Sequence, residues 1–271
     1  HVRAALHSQL GLRLGSLGQM GNSPCFPSRP TNAKLTTGYW RFRGLGAPMR
    51  MMCVYARVQW EDEKYEVKQK KKGGGWISAE WDRTDKPELQ KSNSLASLPY
   101  VHNHSTGEVV CAVIPVYLYL GRTLGLQGRT SKEQLANEQV LFQIHSMFME
   151  VVDMVYPFKA FREKEEFEEG LDKYFESTLN RNYEKLQSWL RQHGTPYFCG
   201  SYLCTADFHA WEFFDQMEAM AARYSKCSPL DGFEELQDYY FRVRQEPRLQ
   251  SYFESEDHLS LPIHNKMAFF Q

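Results

Sequence analysis

The chain has 271 residues, 42% apolar and 24% charged, the balance of an ordinary soluble globular protein with length for two domains. Lys plus Arg (32) nearly cancels Asp plus Glu (33), so no global charge points to nucleic acid or a membrane surface. The longest apolar run, Val109 to Leu120, is too short to span a bilayer and contains Pro115.

Residues 1–33 hold serines, glycines and the prolines 24, 27 and 30, and no acidic residue precedes Glu61. An acid-free leader with arginines fits an organellar transit peptide, and equally a disordered N-terminal extension. From residue 34 the pattern becomes structural. Residues 34–43 predict a short aromatic strand, and Gly44 to Pro48 turns into an apolar helix running through Tyr55. Residues 58–67 alternate as a second strand, and the lysines 68 and 70–72 with the glycines 73–75 read as a solvated loop. Residues 98–101 and 108–112 predict a hairpin whose turn includes His102, Asn103 and His104, and Pro115 to Leu120 opens a helix. A small α/β domain over 34–126 results.

The remainder reads as helix. Thr130 to Glu133 is a capping box, and Leu141, Ile144, Phe148, Val151 and Val155 form a buried stripe. A charged helix over 161–193 stops at Gly194, helices follow at 206–224, 231–244 and 247–254, and an extended tail begins at Leu261. This predicts an all-α domain over 130–260 and a tail over 261–271. The six cysteines (25, 53, 111, 199, 204 and 227) contain no Cys-x-x-Cys pair, and the nine histidines show no ligand spacing. They read as reduced thiols of a cytosol-like compartment and as no metal site.

Local segments narrow the function. Gly38 to Arg50, Asp85 to Leu89, Leu98 to Tyr100, Tyr119 to Arg122, Ala206 to Glu212 and Leu261 to Ala268 resemble, in order and at family spacing, segments of the cytosolic glutathione transferases of the tyrosine-type mu/pi/sigma group. The resemblance covers residues 35–271. It implies a thioredoxin-like domain followed by an all-helical domain, a homodimer, a cytoplasmic location and no bound metal. It also implies glutathione as co-substrate, its thiolate attacking a small hydrophobic electrophile. By the same resemblance Tyr39 is the hydroxyl that activates the thiol. Trp40, Leu45, Trp81, Lys86, Leu98, Pro99 and Val113 fall at glutathione-binding positions, with Pro99 matching a cis-proline. Tyr156 falls in the electrophile pocket, and Leu95 takes the place of an aromatic key inserted into the partner subunit.

The sequence also departs from the family. Where relatives carry Gln-Ser or Glu-Ser to hold the γ-glutamyl carboxylate, this chain has Ala112 and Val113, with the backbone N–H of Val113 still available. Ser146 stands where mu-like relatives send an acidic residue to the partner's γ-glutamyl amine. Cys204 stands at an N-cap where relatives have Ser or Thr. Two readings stay open: a transferase with weakened glutathione affinity, and a catalytically impaired subunit that keeps the fold for binding or scaffolding. A variant of the first is an enzyme of altered specificity whose apolar Val113–Ile114 edge takes another thiol or ligand.

Overall fold

The computed structural model describes residues 34–70 and 75–271. The candidate leader (1–33) and part of the Lys/Gly loop (71–74) lie outside the described residues.

The first strand, β1 (Leu35–Trp40), is buried along nearly its whole length. It pairs parallel with β2 (Trp60–Tyr65) and antiparallel with a later strand, β5 (Tyr100–Asn103), which is joined by a hairpin to β6 (Glu108–Cys111). The sheet order is β2-β1-β5-β6. Helix α1 (Ala47–Ala56) makes the parallel β1–α1–β2 crossover, started by Pro48 in its first turn and closed by Arg57 in the left-handed region. A short ribbon, β3 (Lys68–Gln69) with β4 (Trp76–Ile77), a wide helical turn over Trp81–Asp85, and α2 (Lys86–Gln90) intervene before β5. Gly38 is needed in β1 because the Tyr100 ring lies over it, 2.0 Å from where a Cβ would stand.

Helix α3 (Val113–Leu124) closes this thioredoxin-like unit. It begins two residues before the expected Pro115, because a proline is welcome in a helix's first turn, where its missing N–H has no partner to lose. The hairpin turn starts later than expected: His102 and Asn103 belong to β5, and the turn is His104 to Gly107, steadied by the Ser105 N–H donating to Asn103 Oδ1 at 3.0 Å.

The helical domain starts with α4 (Ser131–Val155), whose Thr130/Glu133 capping box is formed and whose predicted stripe is buried. The expected helix over 161–193 begins at Lys164, capped by Glu163 and Glu166, while Phe161 packs over Gly170. It runs as α5 (Lys164–Lys173), a wider π-type turn over Tyr174–Leu179, and α6 (Asn180–His193), ending at left-handed Gly194. Then come α7 (Thr205–Arg223), α8 (Glu234–Arg244), a 3₁₀ turn at Pro247–Leu249, α9 (Gln250–Phe253) and α10 (Glu256–Leu259), a helix the periodicity does not announce. Among the described residues no helix is long and apolar enough to cross a membrane.

One apolar core runs from β1 and α1 through α3 and α4 to α7 and the tail. Gly121 of α3 sits so close to α7 that a Cβ there would meet Thr205 Oγ1 at 2.3 Å, so the two domains touch backbone to side chain. Polar pairs reinforce this seam. Arg43 donates from Nε and Nη2 to the two carboxylate oxygens of Glu212 at 3.0 and 2.9 Å, and from Nη2 to Asp215 at 2.5 Å. The tail does not merely trail: Pro262 and Ile263 accept the backbone N–H groups of Arg43 and Gly44.

Candidate functional site

Tyr39 ends a buried strand, and the chain then turns sharply through Arg41 to Gly46 into α1. This turn leaves Tyr39, Trp40, Phe42 and Leu45 on one wall of a cavity of about 320 Å³. The opposite wall comes from the C-terminal turns of α4, with Phe148, Met149, Val152 and Tyr156, and the roof from the tail residues His264, Asn265 and Met267. Four of the predicted site residues, Tyr39, Trp40, Leu45 and Tyr156, thus meet at one mainly apolar space between the domains.

The Tyr39 ring packs edge-on against Phe42 with centroids 5.3 Å apart. Burial raises the Tyr39 hydroxyl pKa well above its ordinary value and Tyr156 adds to this, against the lowering influence of the Leu45 backbone N–H and of Arg50. The hydroxyl therefore keeps its proton at neutral pH, the state in which it can donate a hydrogen bond. Burial likewise pushes Tyr156 up to about 12, although its oxygen accepts the Asn265 N–H at 3.3 Å. Arg50, wholly buried, braces the turn: its Nε donates to Asp62 at 2.8 Å and its Nη1 to the Phe42 carbonyl at 3.1 Å.

A second group of predicted residues forms a backbone edge beside the end of β1. The Leu98–Pro99 peptide is cis. The Ala112 N–H donates to the Pro99 carbonyl at 3.1 Å, so the start of α3 lies against the Leu98–Pro99 segment. Neither the N–H nor the C=O of Leu98 has a hydrogen-bond partner among the described residues. Ala112, the N-cap of α3, has φ +69 and ψ 153, a region that glycine tolerates and alanine does not favour. Val113 opens the helix, so its N–H has no intrahelical acceptor.

Other predicted residues lie elsewhere. Trp81 is 4% exposed and belongs to a small core with Tyr65, Ala96, Tyr100 and Cys111, stacked on Tyr100 at 5.9 Å. Lys86 is half-buried at the start of α2, and neither lines the cavity. Leu95 is 79% exposed, and Ser146 is an exposed residue of α4 in a groove with Val140, Phe142, Leu186 and Trp189. Cys204 is the N-cap of α7, its sulfur accepting from the Asp207 backbone and its N–H donating to the Asp207 carboxylate at 2.8 Å.

The sequence analysis missed His264 and Asn265 as cavity residues. The tail has no periodicity, and it is held over the site by long-range bonds: its backbone pairs with residues 43 and 44, the Asn265 N–H donates to Tyr156 and the Phe269 N–H to the Val155 carbonyl. His264, 1% exposed, sits among the rings of Phe148, Tyr156 and Phe270, and burial pushes its imidazole down to about 3.

The family of the glutathione S-transferase C-terminal domain matches residues 145–256. The chain is 26% identical over 239 residues to glutathione S-transferase Mu 2 of Rattus norvegicus, covering 87% of this chain and 98% of that protein. To glutathione S-transferase Mu 1 of Oryctolagus cuniculus it is 26% identical over 235 residues, covering 86% and 97%. Among solved structures it resembles the glutathione S-transferase Blo t 8 with a TM-score of 0.70 at 22% identity, over 87% of this chain and 99% of that one. The Pi-class glutathione S-transferase of Onchocerca volvulus shares the fold with a TM-score of 0.67 at 18% identity, over 86% and 99%.

Proposed function

Since the chain belongs to the cytosolic glutathione S-transferase superfamily, on its mu- and pi-like side, we propose that it conjugates the thiolate of glutathione to small hydrophobic electrophiles. We propose further that it holds glutathione more weakly than relatives with a complete anchor. The observation that carries this reading is the meeting of Tyr39 and Tyr156 across one apolar cavity at the domain seam.

The chemistry needs a thiolate. A thiol of pKa near 8.5 is only a few per cent ionised at pH 7, and lowering that pKa by two units stabilises the anion by about 2.7 kcal/mol. A protonated Tyr39 hydroxyl donating to sulfur is a charge-assisted hydrogen bond of that order. In this proposal Leu98 pairs through its free N–H and C=O with the cysteinyl backbone of glutathione, Pro99 aims that segment, and the Val113 N–H meets the γ-glutamyl carboxylate. Trp40 and Leu45 flank the thiol. Lys86 and the Trp81 indole N–H take the glycine carboxylate. The electrophile occupies the cavity, where Tyr156 stands ready to donate to it. A homodimer would seat Leu95 in the partner's groove between α4 and α6, over domains bounded at 34–126 and 130–260. A cytoplasmic location completes the proposal, with an organelle as the alternative if residues 1–33 act as a transit peptide.

A second reading has its own observation. Ala112 and Val113 carry no polar side chain for the γ-glutamyl carboxylate, and Ser146 brings no negative charge to the γ-glutamyl amine. Hydrogen bonds to charged groups contribute roughly 1.5–3 kcal/mol each, so losing two weakens binding by about two to four orders of magnitude. That favours a catalytically impaired subunit kept for binding or scaffolding.

Calorimetric titration of glutathione into the full chain, with a conjugation assay on wild type and Tyr39→Phe, separates the two. The transferase reading expects binding at about millimolar or tighter and a turnover that Tyr39→Phe lowers by about tenfold or more. No heat at about ten times that concentration and no turnover would leave the scaffold reading standing.

A further inference from the structure

The cysteines are scattered in sequence, yet the fold gathers two of them with a carboxylate. Cys199 lies in the loop after α6, Cys204 is the N-cap of α7, and Asp207 is in that helix's first turn. All three are buried. One donor atom from each, the two Sγ and a carboxylate oxygen, lies within 4.8 Å of the others. Asn137 of α4 reaches the same place, its Oδ1 lying 3.9 Å from Cys199 Sγ.

We propose that Cys199, Cys204 and Asp207, with the side-chain oxygen of Asn137 as a fourth donor, form a binding site for a thiophilic divalent cation of the zinc type. The cation would tie the start of α7 to the preceding loop and to α4.

Two thiolates and a carboxylate oxygen are ligands that zinc takes, and the weaker Asn137 oxygen would complete a closed, four-coordinate set. The oxygens are already oriented by main-chain donors. Asp207 Oδ1 accepts the Phe198 N–H at 2.9 Å, Asp207 Oδ2 accepts the Cys204 N–H at 2.8 Å, and Asn137 Oδ1 accepts the Ala206 N–H at 2.9 Å. Each oxygen keeps a second lone pair, so these bonds serve as the outer support that ligands of a metal usually have. The thiol protons are weakly used, in contacts of 3.9 Å to Asn137 and 3.8 Å to the Tyr202 carbonyl. Losing them strands no strong donor.

The electrostatics agree. Among the described residues no Lys or Arg forms an ion pair with Asp207. Three groups able to become anions are packed together with no Lys or Arg paired to them among the described residues. Binding M²⁺ releases the two thiol protons to solvent, forms two metal–sulfur bonds and compensates two of the three negative charges. The bland alternative is a capping box in which a thiol replaces a hydroxyl and both thiols stay protonated.

The test uses the full chain, purified without chelator, equilibrated with zinc, desalted and assayed for metal. A parallel sample takes cobalt(II) and is read for sulfur-to-cobalt charge-transfer absorption. The expected result is one zinc per chain and a tetrahedral thiolate spectrum, with retention falling about tenfold or more in Cys199→Ser and Cys204→Ser. Cys204→Ser installs a preferred N-cap residue, so the helix start survives the change, and circular dichroism checks this. Zinc retained equally by the double variant overturns the proposal, as does a wild-type cobalt spectrum without sulfur bands. A freshly purified chain lighter by two protons, with a Cys199–Cys204 disulfide, overturns it too.

Discussion

The hydroxyl of Tyr117, wholly buried on α3, donates to the main-chain carbonyl of Leu45 at 2.7 Å. The N–H of the same residue, Leu45, bears on the hydroxyl of Tyr39. One tyrosine therefore steadies the loop that positions the other. Tyr117→Phe leaves a buried carbonyl unpaired, and the expected loss of stability is about 1–3 kcal/mol. Turnover in a conjugation assay should fall by up to about tenfold, a change of ~1.4 kcal/mol in the barrier, with glutathione affinity nearly unchanged. An equal fall in affinity would place the role of Tyr117 in binding instead.

Ala112 lets stability and function be separated at one position. Its φ of +69 lies where a Cβ is strained. Ala112→Gly should therefore raise the thermal midpoint, by about 1 kcal/mol in stability, without improving glutathione affinity. Ala112→Gln with Val113→Ser should lower the Michaelis constant for glutathione by about tenfold or more, since each restored hydrogen bond to a charge contributes about 1.5–3 kcal/mol. Measured together, the two variants show whether the strained turn is still aimed at a carboxylate.

Arg43 faces two carboxylates across the domain seam, with its own side chain 7% exposed and Glu212 fully buried. Replacing it by methionine leaves Glu212 without its cation in a dry site. The expected cost is about 3–5 kcal/mol, read in denaturant unfolding, and far more than loss of an exposed pair such as Lys91–Glu88.

His264 makes stability depend on pH. Burial, with Arg43 adding to it, lowers its pKa from 6.5 to about 3. Below about pH 6.5 the unfolded chain takes up a proton that the folded chain refuses, so stability present above that pH is lost as the pH falls toward 3. By pH 5 the loss amounts to about 2 kcal/mol. The Nε2 atom is buried without a partner, and the ring lies among Phe148, Tyr156 and Phe270. His264→Phe should make the profile of thermal midpoint against pH shallower between about 6.5 and 4, with the rest of the slope left to His209, which burial lowers well below its ordinary value, and to His258, which burial lowers to about 4. A slope as steep as that of the wild type would assign the effect elsewhere.

Leu95 projects from the turn before β5 with 79% of its surface exposed, and the α4–α6 groove offers Val140, Phe142 and Leu186. Leu95→Asp should shift the chain from dimer toward monomer in sedimentation, because a charge cannot follow leucine into an apolar groove without losing its hydration. An unchanged oligomeric state would remove Leu95 from the contact.

Much was legible in the sequence because its causes are local. Thr130 and Glu133 cap α4 within one turn, the Leu141–Val155 stripe repeats at the helix period, and Gly194 stops α6 in the left-handed region. The order of segments from Gly38 to Ala268 carried the family resemblance and the fold, and it put Tyr39 and Tyr156 forward. What only the tertiary structure decided depends on partners far apart along the chain. Trp81 is held in a core by Tyr65 and Tyr100, which nothing beside it in sequence announces. His264 and Asn265 roof the cavity because the tail pairs with Arg43 and Gly44 on one side and with Val155 and Tyr156 on the other. Cys199, Cys204 and Asp207 share no familiar ligand spacing, yet the turn into α7 brings their donor atoms together. Helical period and capping are written in near neighbours; burial, ion pairing and ligand geometry are set by whichever surfaces packing brings into contact.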